Sequence, residues 1–327
     1  MEKETNPGTG VEASHSLPSM VFLGTPDFAV PSLQRLAAAG ADIRLVLTQP
    51  DRAQGRGRKL ACPPIKSLAQ KLEIPVFQPQ RLRAADAVER VASVGAECLV
   101  VVAYGQLLPQ ELLDRAPLGA VNVHASMLPY YRGAAPIQRA LLAGERSTGI
   151  SIMLLDAGMD TGPVLQQQAL PIDDRDTGGS LHDKLAVLGA ELLVSTLQLW
   201  KTGRTAPVPQ NGSLASFAPP IRKEEARMSW NREARHIVNH IRALDPSPGA
   251  HCQYQGRRLK CFGASLLPWK GQGRAGEIMG FGDTGLVVLG SDQQALSIAA
   301  LQLEGHRRLA AGEFLRGHEM PQGTFLE

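Results

Sequence analysis

At 327 residues the chain is long enough for two domains, and 43% hydrophobic with 20% charged residues is the balance of a globular protein, not a disordered or fibrous one. A net charge of +3 admits a nucleic-acid partner without requiring one. No apolar run reaches the ~18 residues of a membrane helix, and Cys62, Cys98, Cys252 and Cys261 form no CxxC pair of the kind that holds zinc.

In chain order, residues 1–18 are polar and rich in Gly, Pro and Ser. They lack the apolar centre of a signal peptide and the acid-poor character of a transit peptide, so they read as a disordered extension of a cytoplasmic protein. Ser19–Leu23 is a short apolar strand ending in the turn Gly24-Thr25-Pro26, and Phe28, Leu33, Leu36 and Ala37 then recur at helical spacing up to Gly40. Ile43–Leu47 reads as a strand, Ile65–Leu72 and Arg83–Val94 as helices, and Cys98–Val102 as a strand with Cys98 in the core. Strands alternating with helices predict an α/β fold, a doubly wound and mostly parallel sheet covered on both faces. The Gly24 turn follows a strand and precedes a helix but lacks GxGxxG, so the turn closes the sheet near a site instead of holding a dinucleotide. Gly149–Leu155 is a further strand, and Leu181 to Trp200 a long helix sealing this domain, 19–203. Residues 204–220, rich in Gly, Pro, Ser and Gln, read as a linker. From 221 to 327 one helix, Asn231–Leu244, precedes strands near Ala250–Tyr254, Arg258–Phe262, Ala275–Met279, Gly285–Leu289 and Leu296–Leu303. Short strands at this spacing predict a smaller OB-like β-barrel, an architecture often used on nucleic acids.

The segment carrying the most chemistry is Val121-Asn122-Val123-His124-Ala125-Ser126-Met127-Leu128-Pro129, together with Asp160 between Gly158 and Gly162. Asn122 and His124 are two apart on an apolar run and share one face of a strand. An amide, an imidazole and a carboxylate suit acyl transfer to an amine. The amide donates to the developing oxyanion, the imidazole donates or moves a proton, and the carboxylate orients or charges the imidazole. No Ser, Cys or Lys nucleophile is needed when the amine attacks directly.

With Phe22-Leu23-Gly24-Thr25-Pro26-Asp27-Phe28, Thr48-Gln49-Pro50-Asp51-Arg52, Val100 to Gly105, Asn122 through Gln138, Asp156 to Gly162 and Lys223-Glu224-Glu225-Ala226-Arg227, the chain resembles the 10-formyl-tetrahydrofolate-dependent formyltransferases from about Ser19 nearly to its end. The resemblance implies that Asn122, His124 and Asp160 are the catalytic trio. It also implies that Ser126, Met127, Leu128 and Pro129, with Tyr104 and Gly105, contact the folate. Met127 stands where the family usually has Leu, a volume-conserving exchange. Arg132-Gly133-Ala134-Ala135-Pro136 resembles the segment that distinguishes the tRNA-modifying branch from purine-pathway relatives. The implied activity is transfer of a formyl group from 10-formyl-tetrahydrofolate to the α-amino group of methionine on initiator tRNA, by a monomer that needs no metal. The competing reading is a formyltransferase acting on a small amine such as a nucleotide sugar or glycinamide ribonucleotide.

Arg52, Arg56, Arg58 and Lys59 form a basic loop with Gly55 and Gly57 and no acid. Taken alone, such a run is more often a solvated surface. Arginine's planar fork also suits phosphates and base edges. The resemblance implies that Arg56, Arg58 and Lys59 contact the tRNA, with Arg56 the leading residue.

Overall fold

The computed structural model describes residues 17–54 and 59–327. The expectations for residues 1–16 and for Arg56 and Arg58 lie outside the described residues, and of Lys59 only the main chain is described.

β1 (Met20–Gly24) is buried throughout, and its side chains alternate between two apolar layers: Met20 and Phe22 in one, Val21 and Leu23 in the other. That is the pattern of a strand covered on both faces. After a 3-10 turn at Asp27–Ala29 come α1 (Val30–Ala38) and β2 (Ile43–Leu47). A hairpin, β3 (Arg52–Gln54) with β4 (Lys59–Ala61), forms its own two-stranded sheet. α2 (Pro64–Lys71), β5 (Val76–Phe77), α3 (Ala85–Ala92), β6 (Cys98–Val102), α4 (Gln110–Asp114) and β7 (Ala120–His124) follow. α5 (Pro136–Ala143), β8 (Ser147–Leu154), β9 (Val164–Pro171) and the long α6 (Gly178–Lys201) complete the domain.

The seven-stranded sheet runs β5-β2-β1-β6-β7-β8-β9. Pairing is parallel from β5 to β7, and β8 and β9 are added antiparallel. Numbered in chain order, the five parallel strands lie 3-2-1-4-5, a doubly wound order that reverses between β1 and β6 and opens a crevice at their carboxyl ends. α1, α2 and α6 cover one face through Leu33, Ile65 and Leu185, and α3 and α4 the other through Val91 and Leu112. α6 starts from a capping box between Thr177 and Ser180. It crosses β7 at Gly189, where a Cβ would sit 2.9 Å from Val123 Cγ1. The missing side chain lets the helix seat directly behind the strand bearing Asn122 and His124.

Residues 204–220 run back over this domain. Val208 exchanges hydrogen bonds with Val164, and Phe217 forms a parallel bridge with Arg132. Beyond a 3-10 turn at Lys223–Ala226 come α7 (Ala234–Leu244), β10 (His251–Tyr254), β11 (Arg257–Lys270), β12 (Ile278–Gly282), β13 (Gly285–Leu289), β14 (Gln294–Leu303), β15 (Leu309–Ala310) and α8 (Ala311–Gly317). The strands make an antiparallel, barrel-like sheet in the order β10-β11-β14-β13-β12, with β15 on β14. Cys98, Cys252 and Cys261 are buried free thiols, and burial pushes Cys98 up to about 12, so it is packing, not a nucleophile.

The expected strands and long helices are present, with the strand expected at Ala275–Met279 lying at Ile278–Gly282, while β5, β9, α4, α5, β15, α8 and the β3–β4 hairpin are additions. β9 was hidden by its run Gln166-Gln167-Gln168, because an edge strand flanked on one side only exposes polar residues and reads as a loop. β5, β15, α4 and the arms of the hairpin are too short to show a period.

The two domains are tied by charge. Arg139 of α5 donates to both carboxylate oxygens of Glu225, at 2.6 and 3.1 Å. Buried Arg242 of α7 donates to the carbonyls of Asp173 and Asp176, both at 2.6 Å. The Arg139 hydrogen bond, then the Arg222 main chain, holds the Glu225 carboxyl down from the ordinary 4.5 to about 2. Because the folded-state value lies below the unfolded one, this stabilisation is complete above the ordinary value and is lost as pH falls through the folded value. The thermal midpoint of the wild type should therefore fall more steeply between about pH 5 and about pH 2 than that of Glu225→Gln. Parallel curves, measured by circular dichroism across that window, would contradict the pairing.

Candidate active site

β7 lies beside β6 in the parallel part of the sheet, and both end at the crevice. A cavity of 510 Å³ opens there, a size suited to a small-molecule ligand. Val101, Leu108, Leu113 and Leu155 give it apolar walls, and Asn122, His124 and Asp160 line its polar part. Leu107 and Met159, 90% and 64% exposed, stand among its lining residues as apolar side chains left in solvent.

Strand alternation turns Val121 and Val123 into the core under α6 and leaves Asn122 and His124 on the opposite face, as their spacing required. Asn122 is 9% exposed, and its side chain makes no hydrogen bond among the described residues. A buried amide with unused donors that lines a cavity is free to serve a ligand.

His124 is held on both sides. Its Nε2 lies 3.0 Å from the carbonyl oxygen of Tyr131. A carbonyl can only accept, so Nε2 carries the hydrogen and the neutral ring keeps its lone pair on Nδ1. Nδ1 lies 3.6 Å from Asp160 Oδ2. Nδ1 is therefore the ring atom with a lone pair free to accept a proton, and it is the one that faces the carboxylate.

Asp160 is placed through both its main chain and its side chain. It sits at φ +52°, a left-handed conformation unusual for a residue with a Cβ. The loop is ordered by Asp156, whose Oδ1 accepts from the Gly158 N–H and the Thr161 hydroxyl, at 3.0 and 2.6 Å. It closes at Gly162, where any Cβ would overlap the Leu154 carbonyl oxygen. The carboxylate itself accepts from the Gly133 N–H at 2.8 Å.

Of the residues expected at the folate, Tyr104 and Gly105 line the cavity. The Tyr104 carbonyl accepts from the Thr25 hydroxyl at 2.9 Å and the Gln49 amide at 3.3 Å, so the Gly24-Thr25-Pro26 turn is fastened beside the site. Burial pushes the Tyr104 phenol up to about 12. Ser126, Met127, Leu128 and Pro129 are not among the lining residues; Ala125 is. Their loop is pinned from β8 and β9. Ser151 donates to the Ser126 carbonyl at 2.6 Å and accepts from the Leu128 N–H at 3.0 Å, and Gln167 donates to the Leu128 carbonyl at 2.8 Å. The β3–β4 hairpin is anchored at its base: Asp51 accepts from Gln78 at 2.8 Å and from Lys66 at 2.7 Å, both of which lower its pKa, Gln78 the more.

Sequence spacing did not point to Gln106, His182 or Phe28, which also line the cavity. His182 meets the ring of Phe28 edge-on at 5.2 Å. Its position at the start of α6, far along the chain from Asn122, carries no motif. Among the described residues no three His, Cys, Asp or Glu side chains gather in metal-binding geometry.

A family model described as formyl transferase matches residues 19–197, and one described as formyl transferase, C-terminal domain, matches residues 220–319. The chain is similar to methionyl-tRNA formyltransferase of Pelotomaculum thermopropionicum, 47% identical over 308 residues, 94% of this chain and 98% of that protein. It is similar in the same way to methionyl-tRNA formyltransferase of Geobacter sulfurreducens, 43% identical over 94% of this chain and 96% of that one. Among solved structures, HypX from Aquifex aeolicus in complex with tetrahydrofolic acid shares the fold with a TM-score of 0.63 at 18% identity. That match covers 95% of this chain, which spans about half, 51%, of HypX. An N-formyltransferase from Helicobacter canadensis, in complex with folinic acid and dTDP-3-aminofucose, gives a TM-score of 0.64 at 17% identity, covering 90% of this chain and all of that one, 100%.

Gly133 carries the N–H that holds Asp160, at φ +122°, with a Cβ there lying 2.8 Å from the Ala218 carbonyl oxygen. Gly133→Ala should cost about 1–3 kcal/mol in urea unfolding, through backbone strain. An unchanged midpoint would show that the segment relaxes freely.

Proposed function

Because the chain belongs to the formyl transferase family, we propose that it moves the formyl group of 10-formyl-tetrahydrofolate to the α-amino group of methionine on initiator methionyl-tRNA, yielding the N-formylated aminoacyl-tRNA used to start translation. The observation that carries this reading is the Asn122 amide, unpartnered among the described residues, in one cavity with a His124–Asp160 pair. The near-complete coverage of relatives named methionyl-tRNA formyltransferase supports the acceptor.

In this mechanism Val101, Leu108 and Leu155 would offer the folate's flat ring system an apolar wall, and Asn122 would receive the formyl group. The neutral amine attacks that carbon, and the carbonyl oxygen becomes an oxyanion that accepts from the Asn122 amide. The amine nitrogen, now positive, gives its proton to His124 Nδ1, and the imidazolium is stabilised by Asp160. As the bond from the formyl carbon to N10 breaks, the same proton passes to N10, so the cycle closes with His124 neutral. The Tyr131 carbonyl keeps the Nε2 hydrogen occupied, leaving Nδ1 as the atom that moves the proton.

Asn122→Ala and His124→Ala should each lower kcat by roughly 100-fold or more with the fold intact, the typical effect of removing an oxyanion donor in the first case and a general acid–base group in the second. Near-wild-type turnover in both would remove the catalytic assignment. For the basic loop we propose that Arg56 discriminates among tRNAs, with Arg58 and Lys59 as neighbouring contacts. Arg56→Ala should weaken the preference for initiator tRNA while leaving folate affinity unchanged.

The deciding experiment is formyl transfer from 10-formyl-tetrahydrofolate to methionine-charged initiator tRNA, with free methionine and elongator methionyl-tRNA alongside. Formylation of the initiator alone establishes donor, acceptor and specificity. Folate binding without transfer to any of the three would favour a small-amine acceptor.

A further inference from the structure

Residues 204–220 read as a passive connection, yet one of them reaches the loop that carries Asp160. Gln210 donates through Nε2 to the carbonyl oxygen of Asp160 at 2.9 Å and to that of Gly162 at 2.7 Å. Its Oε1 accepts from Nε and Nη2 of Arg132, at 3.1 and 2.8 Å. Arg132 is 8% exposed, and no carboxylate lies within ion-pair distance of it among the described residues. The two halves of one amide therefore join a buried guanidinium to two main-chain carbonyls. A charged donor on Oε1 polarises the amide and strengthens its own donation.

The placement matters because of what lies on either side. Asp160 holds a left-handed backbone conformation that local preferences disfavour, so something outside the loop must maintain it. Arg132 precedes Gly133, whose N–H holds the Asp160 carboxylate. Arg132 is in turn fixed by main-chain bonds to 204–220: its N–H donates to the Ser216 carbonyl at 2.9 Å and its carbonyl accepts from Ala218 at 2.7 Å.

The structure assigns Gln210 as a positioning residue for Asp160, acting with Arg132 to hold the carboxylate at His124 Nδ1. The assignment rests on the proposed formyl transfer for its kinetic consequence, but not for its geometric one. Gln210 makes no hydrogen bond to Asn122 or His124 among the described residues and does not line the cavity, so its loss should alter the chemical step and spare substrate affinity.

The test uses the full chain carrying Gln210→Ala or Gln210→Glu. The second keeps the volume and the Arg132 contact but cannot donate to either carbonyl. Both should lower kcat by about 10- to 100-fold, the scale of a misplaced catalytic group, with KM for folate and for methionyl-tRNA within about two-fold. The pH–rate profile should shift, and both variants should stay folded at the assay temperature with a midpoint lowered by the lost bonds to the Asp160 and Gly162 carbonyls. Independently of turnover, the imidazole 15N resonances of His124 should move in both variants of histidine-labelled protein, with the histidines of the second domain unchanged. Unmoved His124 resonances, or a kcat within two-fold of wild type, would overturn the assignment. So would a loss confined to KM, or unfolding of both variants. A wild type that forms no product would overturn the functional reading alone, with the His124 resonances still deciding the role of Gln210.

Discussion

The imidazole of His124 is flanked at both ring nitrogens, and one stretch of chain bears on both flanks, directly at Nε2 and through Asp160 at Nδ1. The loop that leaves β7 at His124 turns back within a few residues, so that the Tyr131 carbonyl meets Nε2 while the Gly133 N–H meets the Asp160 carboxylate on the Nδ1 side. Tyr131 and Gly133 both have positive φ, +59° and +122°. Such a fold-back is unfavourable locally, and three surroundings compensate. The Tyr131 hydroxyl donates to Glu145 at 2.6 Å, the Tyr131 N–H donates to the Ser216 hydroxyl at 2.9 Å, and the Arg132 main chain pairs with the segment 216–218. The sheet supplies the position of β7; the loop supplies the protonation geometry.

This division explains what the sequence disclosed and what it withheld. Alternation along Ala120–His124 was enough to put Asn122 and His124 on one face, because a strand has no other choice. The doubly wound order followed from apolar strands separated by helical spacing, and the barrel-like domain from short strands at close intervals. The neighbourhood of Asp160 was legible only as glycines, since Gly158 and Gly162 advertise a sharp loop without saying what it approaches. Gln210 was invisible. A glutamine in a run of Pro, Gln, Asn and Gly has the composition of a connection, and its importance lies in carbonyls roughly fifty residues away in the chain, which no local period encodes. The folate expectation for Ser126–Pro129 came from resemblance, and what the geometry adds is how that loop is held, fastened to Ser151 and Gln167.

The anchors around the trio are mostly main-chain groups: the Tyr131 carbonyl, the Gly133 N–H, and the carbonyls of Asp160 and Gly162. A main-chain anchor constrains conformation, not side-chain identity. Positions such as Met127 can then vary so long as their volume is accommodated. The Met127 sulfur rests against Gly149 of β8, so close that a Cβ there would overlap it. An unbranched thioether follows that flat glycine surface without disturbing the Ser151 and Gln167 bonds that hold the adjacent Leu128 main chain. Where the chain does rely on side chains to hold the site, at Arg132 and Gln210, they are donors and acceptors of fixed geometry whose length and charge both matter. The strict positions of this site are therefore of two kinds, glycines whose backbone no other residue fits and polar side chains that replace a missing main-chain partner, with tolerant apolar packing between them.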